Sequence, residues 1–129
     1  YYNSGLVDAV ISVEAVRRAQ QRFGKRPISG EEGQWGLENL DINDERLKAI
    51  GFHGLLQKLK LACADHDGGG AVKVQQWDGR QWTPVSDWVQ ADRALLWPLI
   101  KTKSAAYAKE KGIAPRDCAK EPSADARRP

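Results

Sequence analysis

The sequence predicts a mostly helical chain carrying one antiparallel β-hairpin, and three observations predict it. Apolar residues recur at three- and four-residue steps over residues 4–23. The period changes to two after residue 71, around an Asp78-Gly79 turn signal. Helical spacing then returns between Asp92 and Gly112.

Over residues 4–23, Leu6, Val10, Val13, Val16, Ala19 and Phe23 make one apolar face, while Arg17, Arg18, Gln21 and Arg22 decorate the other. Gly24 is placed to stop this helix, and Pro27 forbids its continuation. Ser29-Gly30-Glu31-Glu32 has the form of a capping box and should open a short helix through Trp35, Leu37 and Leu40, weakened by Gly33 and Gly36. Asn43 or Asp41 caps a further short helix, Asp44 to Ile50, ended by Gly51. Residues 52–61 are apolar without a clear period, and Gly54 argues for a turn within them.

A polar, Gly-rich loop over residues 64–70 precedes the hairpin. Val72, Val74 and Gln76 point to one side of its first strand, and Lys73, Gln75 and Trp77 to the other. Asp78-Gly79 is the preferred two-residue turn. It sets Trp82 opposite Gln75 and diagonal to Trp77, and Pro84 marks an edge. Asp92 caps the last helix, in which Pro98 either kinks the chain or opens a new helix. Past Cys118 the composition is that of a disordered tail.

Composition excludes little. The 129 residues suit one domain, with 29% charged and 41% hydrophobic residues in ordinary globular balance. The net charge of +3 is small, and several basic residues fall in the tail, so it is weak evidence for a nucleic-acid partner. No apolar run approaches the roughly 20 residues that cross a bilayer. The start, Tyr1-Tyr2-Asn3-Ser4-Gly5, lacks the features of a signal peptide and an initiator Met, so the chain reads as a fragment or a processed product. Cys63 and Cys118 are either a pair closing a long loop or two unrelated thiols, and their number does not decide.

No catalytic constellation emerges. Asp65-His66-Asp67 has metal-ligand residue types, but adjacent residues in extended chain point apart and no second ligand group supports them, so a polar loop is the better account. Gly68-Gly69-Gly70 precedes a strand, whereas a phosphate-binding loop follows one and opens a helix. The five tryptophans, Trp35, Trp77, Trp82, Trp88 and Trp97, are read as packing groups before stacking platforms. The chain is therefore read as non-enzymatic, with no cofactor and no metal.

Several strings resemble the Leu/Ile/Val-type (type I) periplasmic solute-binding proteins of ABC transporters. They are Tyr2-Asn3-Ser4-Gly5 leading into Glu14-Ala15-Val16-Arg17-Arg18-Ala19, then Phe23-Gly24-Lys25-Arg26-Pro27-Ile28 and Cys63-Ala64-Asp65-His66. Later come Gln75-Gln76-Trp77-Asp78-Gly79, Pro98-Leu99-Ile100 and Arg116-Asp117-Cys118. The resemblance implies the C-terminal fragment of a two-lobed α/β receptor. Residues 1–63 would be a helical segment of the N-terminal lobe, 64–70 a hinge-like crossing, 71–90 the hairpin of the C-terminal lobe, 91–118 its C-terminal helix and 119–129 the tail. It implies hinge positions at Asp65, His66, Asp67 and Gly68, a Cys63–Cys118 disulfide, and a ligand cleft to which Tyr1, Tyr2 and Asn3 lie closest.

The expected function is thus extracytoplasmic (periplasmic) binding of an amino acid or small carboxylate, such as an aromatic acid, for an ABC permease, with an incomplete site and no nucleic-acid partner. The competing expectation is a small Trp-rich module that binds protein or nucleic acid. A fragment of such a receptor should bury the apolar face of its first helix by self-association or swapped packing.

Overall fold

The computed structural model describes residues 2–119, and the chain divides between Gln90 and Ala91 into two compact units. The first begins with α1 (Tyr2–Phe23) and α2 (Gly30–Glu38). Both halves of the capping box form: the Ser29 hydroxyl accepts from Glu32 N–H, and the Glu32 carboxylate accepts from Ser29 N–H. Arg26 pairs with Glu32 and, with the Ser29 N–H, holds its carboxyl below the ordinary range.

α1 forms over the expected residues, but it buries only part of the expected face. Ala19 of that face is buried, with Val10 and Phe23 partly so, and the contact turns toward Ala15. Ala15 and Ala19 are its fully buried positions, while Leu6, Val13 and Val16 stay exposed. The reason is on α2. A Cβ placed on Gly36 would fall 2.2 Å from the Ala15 carbonyl oxygen and 3.2 Å from Ala19 Cβ. The two helices therefore meet backbone to backbone, a contact that only glycine against alanine permits. At the end of this pair, Phe23 meets Trp35 edge to face at 5.3 Å, with the Arg22 guanidinium 5.1 Å from the Trp35 ring centroid.

Beyond α2 the chain enters β1 (Asp41–Ile42), then α3 (Asp44–Ala49), whose N-cap is Asn43: its side chain accepts from Arg46 N–H at 2.8 Å. β2 (Leu59–Lys60) returns antiparallel to β1, pairing Asp41 with Lys60 and Ile42 with Leu59. This second ladder is not foreshadowed by any period, since strands of two residues are too short to show alternation. It closes the core: Leu40, Ile42 and Leu47 are buried, packed by Ile11, Phe52, Leu56, Leu59 and Leu61.

β3 (Gln75–Trp77) and β4 (Trp82–Pro84) form the expected hairpin, in a different register. Trp77 lies directly opposite Trp82, and Gln75 opposite Pro84. The connection holds four residues, because the Asp78 carboxylate accepts from both Arg80 N–H (2.8 Å) and Gln81 N–H (2.9 Å) and Asp78 N–H donates to the Gln81 carbonyl. Those bonds hold the Asp78 carboxyl below its usual range. The two indoles sit 5.7 Å apart and remain half exposed. Outside the strands, Val72 and Val89 exchange a pair of backbone hydrogen bonds that extends the ribbon.

The second unit carries α4 (Arg93–Lys111). Its N-cap is Asp92 and its C-cap is Gly112 in the left-handed region, φ 63°. Pro98 lies inside one helix and opens no new one, and the carbonyl of Pro98 accepts from the Thr102 hydroxyl. Beyond Ala119 the expected tail lies outside the described residues.

Candidate functional site

Among the described residues, a cleft of about 320 Å³ lies between α1 and the segment running from Leu40 to Arg46. Its α1 wall follows from spacing alone. Glu14, Arg17, Arg18 and Gln21 stand at i, i+3, i+4 and i+7, which puts them on one stripe of a helix. Asp41, Asn43 and Arg46 face them across the cleft, because β1 and the α3 cap hold that segment over α1.

The charges of the cleft are already partly matched. Glu14, with a side chain 13% exposed, accepts from Arg46 Nε (2.9 Å) and Nη2 (2.6 Å) in a bidentate pair, and from Arg17 Nη1 at 3.2 Å. Asp41 faces Lys60 across the β1–β2 ladder at 3.8 Å. Arg18 donates its Nε to the Asn39 carbonyl at 3.2 Å and lies 6.0 Å from the Trp35 centroid. The sequence pattern puts Arg17, Arg18 and Gln21 on the side of α1 opposite its apolar face. The i+3/i+4 step from Glu14 was the available signal, and its partner Arg46 was invisible because it comes from 32 residues away.

The residues singled out from sequence lie elsewhere. Tyr1 is outside the described residues. Tyr2, 80% exposed, and Asn3, also exposed, occupy the first turn of α1, and neither lines the cleft. Asp65 to Gly68 form a turn in which the Asp65 carboxylate accepts from Asp67 N–H and Gly68 N–H. His66 Nε2 reaches the buried Glu38 at 3.2 Å, tying this turn to α2. Gly68 has φ 67°, so the turn favours glycine, and a Cβ there would also push aside the tips of Leu59 and Leu61. Among the described residues no three His, Cys, Asp or Glu side chains gather as metal ligands. Cys63 and Cys118 are both disulfide-bonded.

No protein-family model matches the chain, and no curated protein does. Among solved structures, one described as an ABC transporter permease from the Pseudomonas fluorescens group is similar over 92% of the chain, at 64% identity and a TM-score of 0.86. The chain spans 28% of that relative's length. Likeness at this level extends from fold to sequence, and it supports the ABC-transporter context.

It also corrects the expected function. The relative is described as a permease and not as a solute-binding protein, so the reading as a type I periplasmic receptor for amino acids or small carboxylates is overturned. The Trp-rich interaction module gains no support either. The physical reason lies in what the resembling strings encode: Phe23-Gly24 ends a helix and Trp77-Asp78-Gly79 enters a hairpin loop. Such segments report local structure, which different functions share.

Proposed function

We propose that this chain is a non-catalytic, extramembranous segment of an ABC-transporter component related to the permease-described protein. The observation that carries the reading is the 64% identity over 92% of the chain. Two further features support the placement. α1 bears Asp8, Glu14, Arg17, Arg18 and Arg22, and α4 bears Arg93, Lys101, Lys103, Lys109, Glu110 and Lys111. Each such charge costs about 3 kcal/mol or more at a bilayer centre, so neither helix is suited to lipid. Among the described residues, no helix is long and apolar enough to cross a membrane. The disulfide favours an oxidising, extracytoplasmic compartment such as the periplasm.

The test is made on the chain in its native cellular context, tagged and captured after mild cross-linking. An ATP-binding transporter subunit or its membrane partner should be recovered with it, and externally added protease should cleave it in spheroplasts. Capture without any transporter subunit would remove the transport reading. Protection from protease until the cells are lysed would remove the extracytoplasmic one.

A further inference from the structure

We propose that the cleft along α1 receives carboxylate side chains from an acidic segment of a partner protein. Its lining carries three arginines against two carboxylates, and both carboxylates have basic partners of their own: Glu14 has Arg46 and Arg17, and Asp41 has Lys60. Arg18 has no carboxylate. Only its Nε is engaged, by the Asn39 carbonyl, which leaves the two terminal nitrogens without a hydrogen bond among the described residues. Arg17 spends one nitrogen on Glu14 and is 48% exposed.

Adjacent guanidinium forks with free donors suit planar carboxylates, which they bind through paired, charge-assisted hydrogen bonds. The lining also selects the kind of occupant. Small-molecule sites bury an apolar body against mostly apolar walls. Here Leu40 is the one apolar lining residue and is only 3% exposed, so such a body finds nothing to cover. A polar, open strip along two turns of helix instead fits side chains that reach in from an extended acidic segment, the mode by which arginine clusters read acidic motifs.

The probe is a blocked tetraglutamate peptide, with the matched tetraglutamine peptide as control, titrated into the full chain at low ionic strength. NMR follows the arginine Nε–H signals and the Trp35 indole. Tetraglutamate should shift the Arg17, Arg18 and Trp35 signals saturably, and tetraglutamine should not. Arg18→Gln, with α-helical circular dichroism unchanged, should weaken binding about tenfold, as expected for loss of a charge-assisted pair. Lys25→Gln removes the same charge outside the cleft and should leave affinity within about twofold. Equal shifts from both peptides, an unsaturable response, or equal effects of the two variants would overturn the proposal. So would inorganic phosphate displacing the peptide at equal concentration, which would make the cleft a general anion cradle.

Discussion

Replacing Gly36 by alanine tests the account of how α1 and α2 meet, because two physical effects of opposite sign compete there. Alanine in a helix interior is favoured over glycine by about 1 kcal/mol. Against this, the new Cβ would sit 2.2 Å from the Ala15 carbonyl oxygen and 3.0 Å from its carbon. Both neighbours are backbone, so no rotamer change relieves the contact, and the helices must move apart by roughly 1 Å to restore ordinary separations near 3.5 Å. A gap of that size forfeits about a quarter to a half of the dispersion energy along the contact. Overpacking of this kind typically costs about 1–3 kcal/mol, with backbone clashes at or above the upper end.

The net expectation is a loss of about 2 kcal/mol. For a unit of this size that lowers Tm by roughly 8–15 °C. Gly33→Ala is the internal control. Its Cβ would meet only Ile28 Cδ1, at an ordinary 3.7 Å, so the same substitution three residues away should raise Tm by a few degrees. Thermal denaturation followed by circular dichroism at 222 nm reads both. A Gly36→Ala protein as stable as Gly33→Ala would refute the close helix crossing.

Three other outcomes follow from the same structure. The Asp78 carboxyl is held below its ordinary value by backbone N–H groups of Gln81 and Arg80, so the stability it lends the hairpin is present above the unfolded carboxyl pKa, about 4. That contribution should fade as pH falls further through the folded value; Trp77 and Trp82 fluorescence should report it, and Asp78→Asn should flatten the profile. Arg46→Met strands Glu14, which keeps only its longer contact to Arg17, and should cost about 1–3 kcal/mol in urea denaturation; an unchanged midpoint would show the pair to be energetically idle. Reducing the disulfide releases a loop of about 55 residues and should remove about 4 kcal/mol in the chain-entropy account, seen as a clear drop in Tm on adding reductant. Identical melting with and without reductant would contradict that account.

Local chemistry was legible from sequence wherever a few neighbouring residues decide the outcome. Ser29 with Glu32, Asn43, Asp92 and Gly112 each set a helix end through hydrogen bonds to residues close by, and α1 to α4 form near the expected positions. The hairpin was legible too, because β-period and turn residues adjoin. Its register was not: Asp78 could open either a two-residue turn or a four-residue loop, and only the bonds to Arg80 and Gln81 distinguish them.

What tertiary structure alone decided is which faces meet. Val13 and Val16 are the more hydrophobic residues, yet Ala15 and Ala19 are buried, since close approach to Gly36 rewards small side chains. The β1–β2 ladder, the Arg46–Glu14 pair across 32 positions and the cleft they frame likewise depend on how separated segments pack. Period, capping and turn chemistry act over a few residues and are written in the sequence as such. Contacts between distant residues arise only when the fold closes, and they carry no signature in any one stretch of chain.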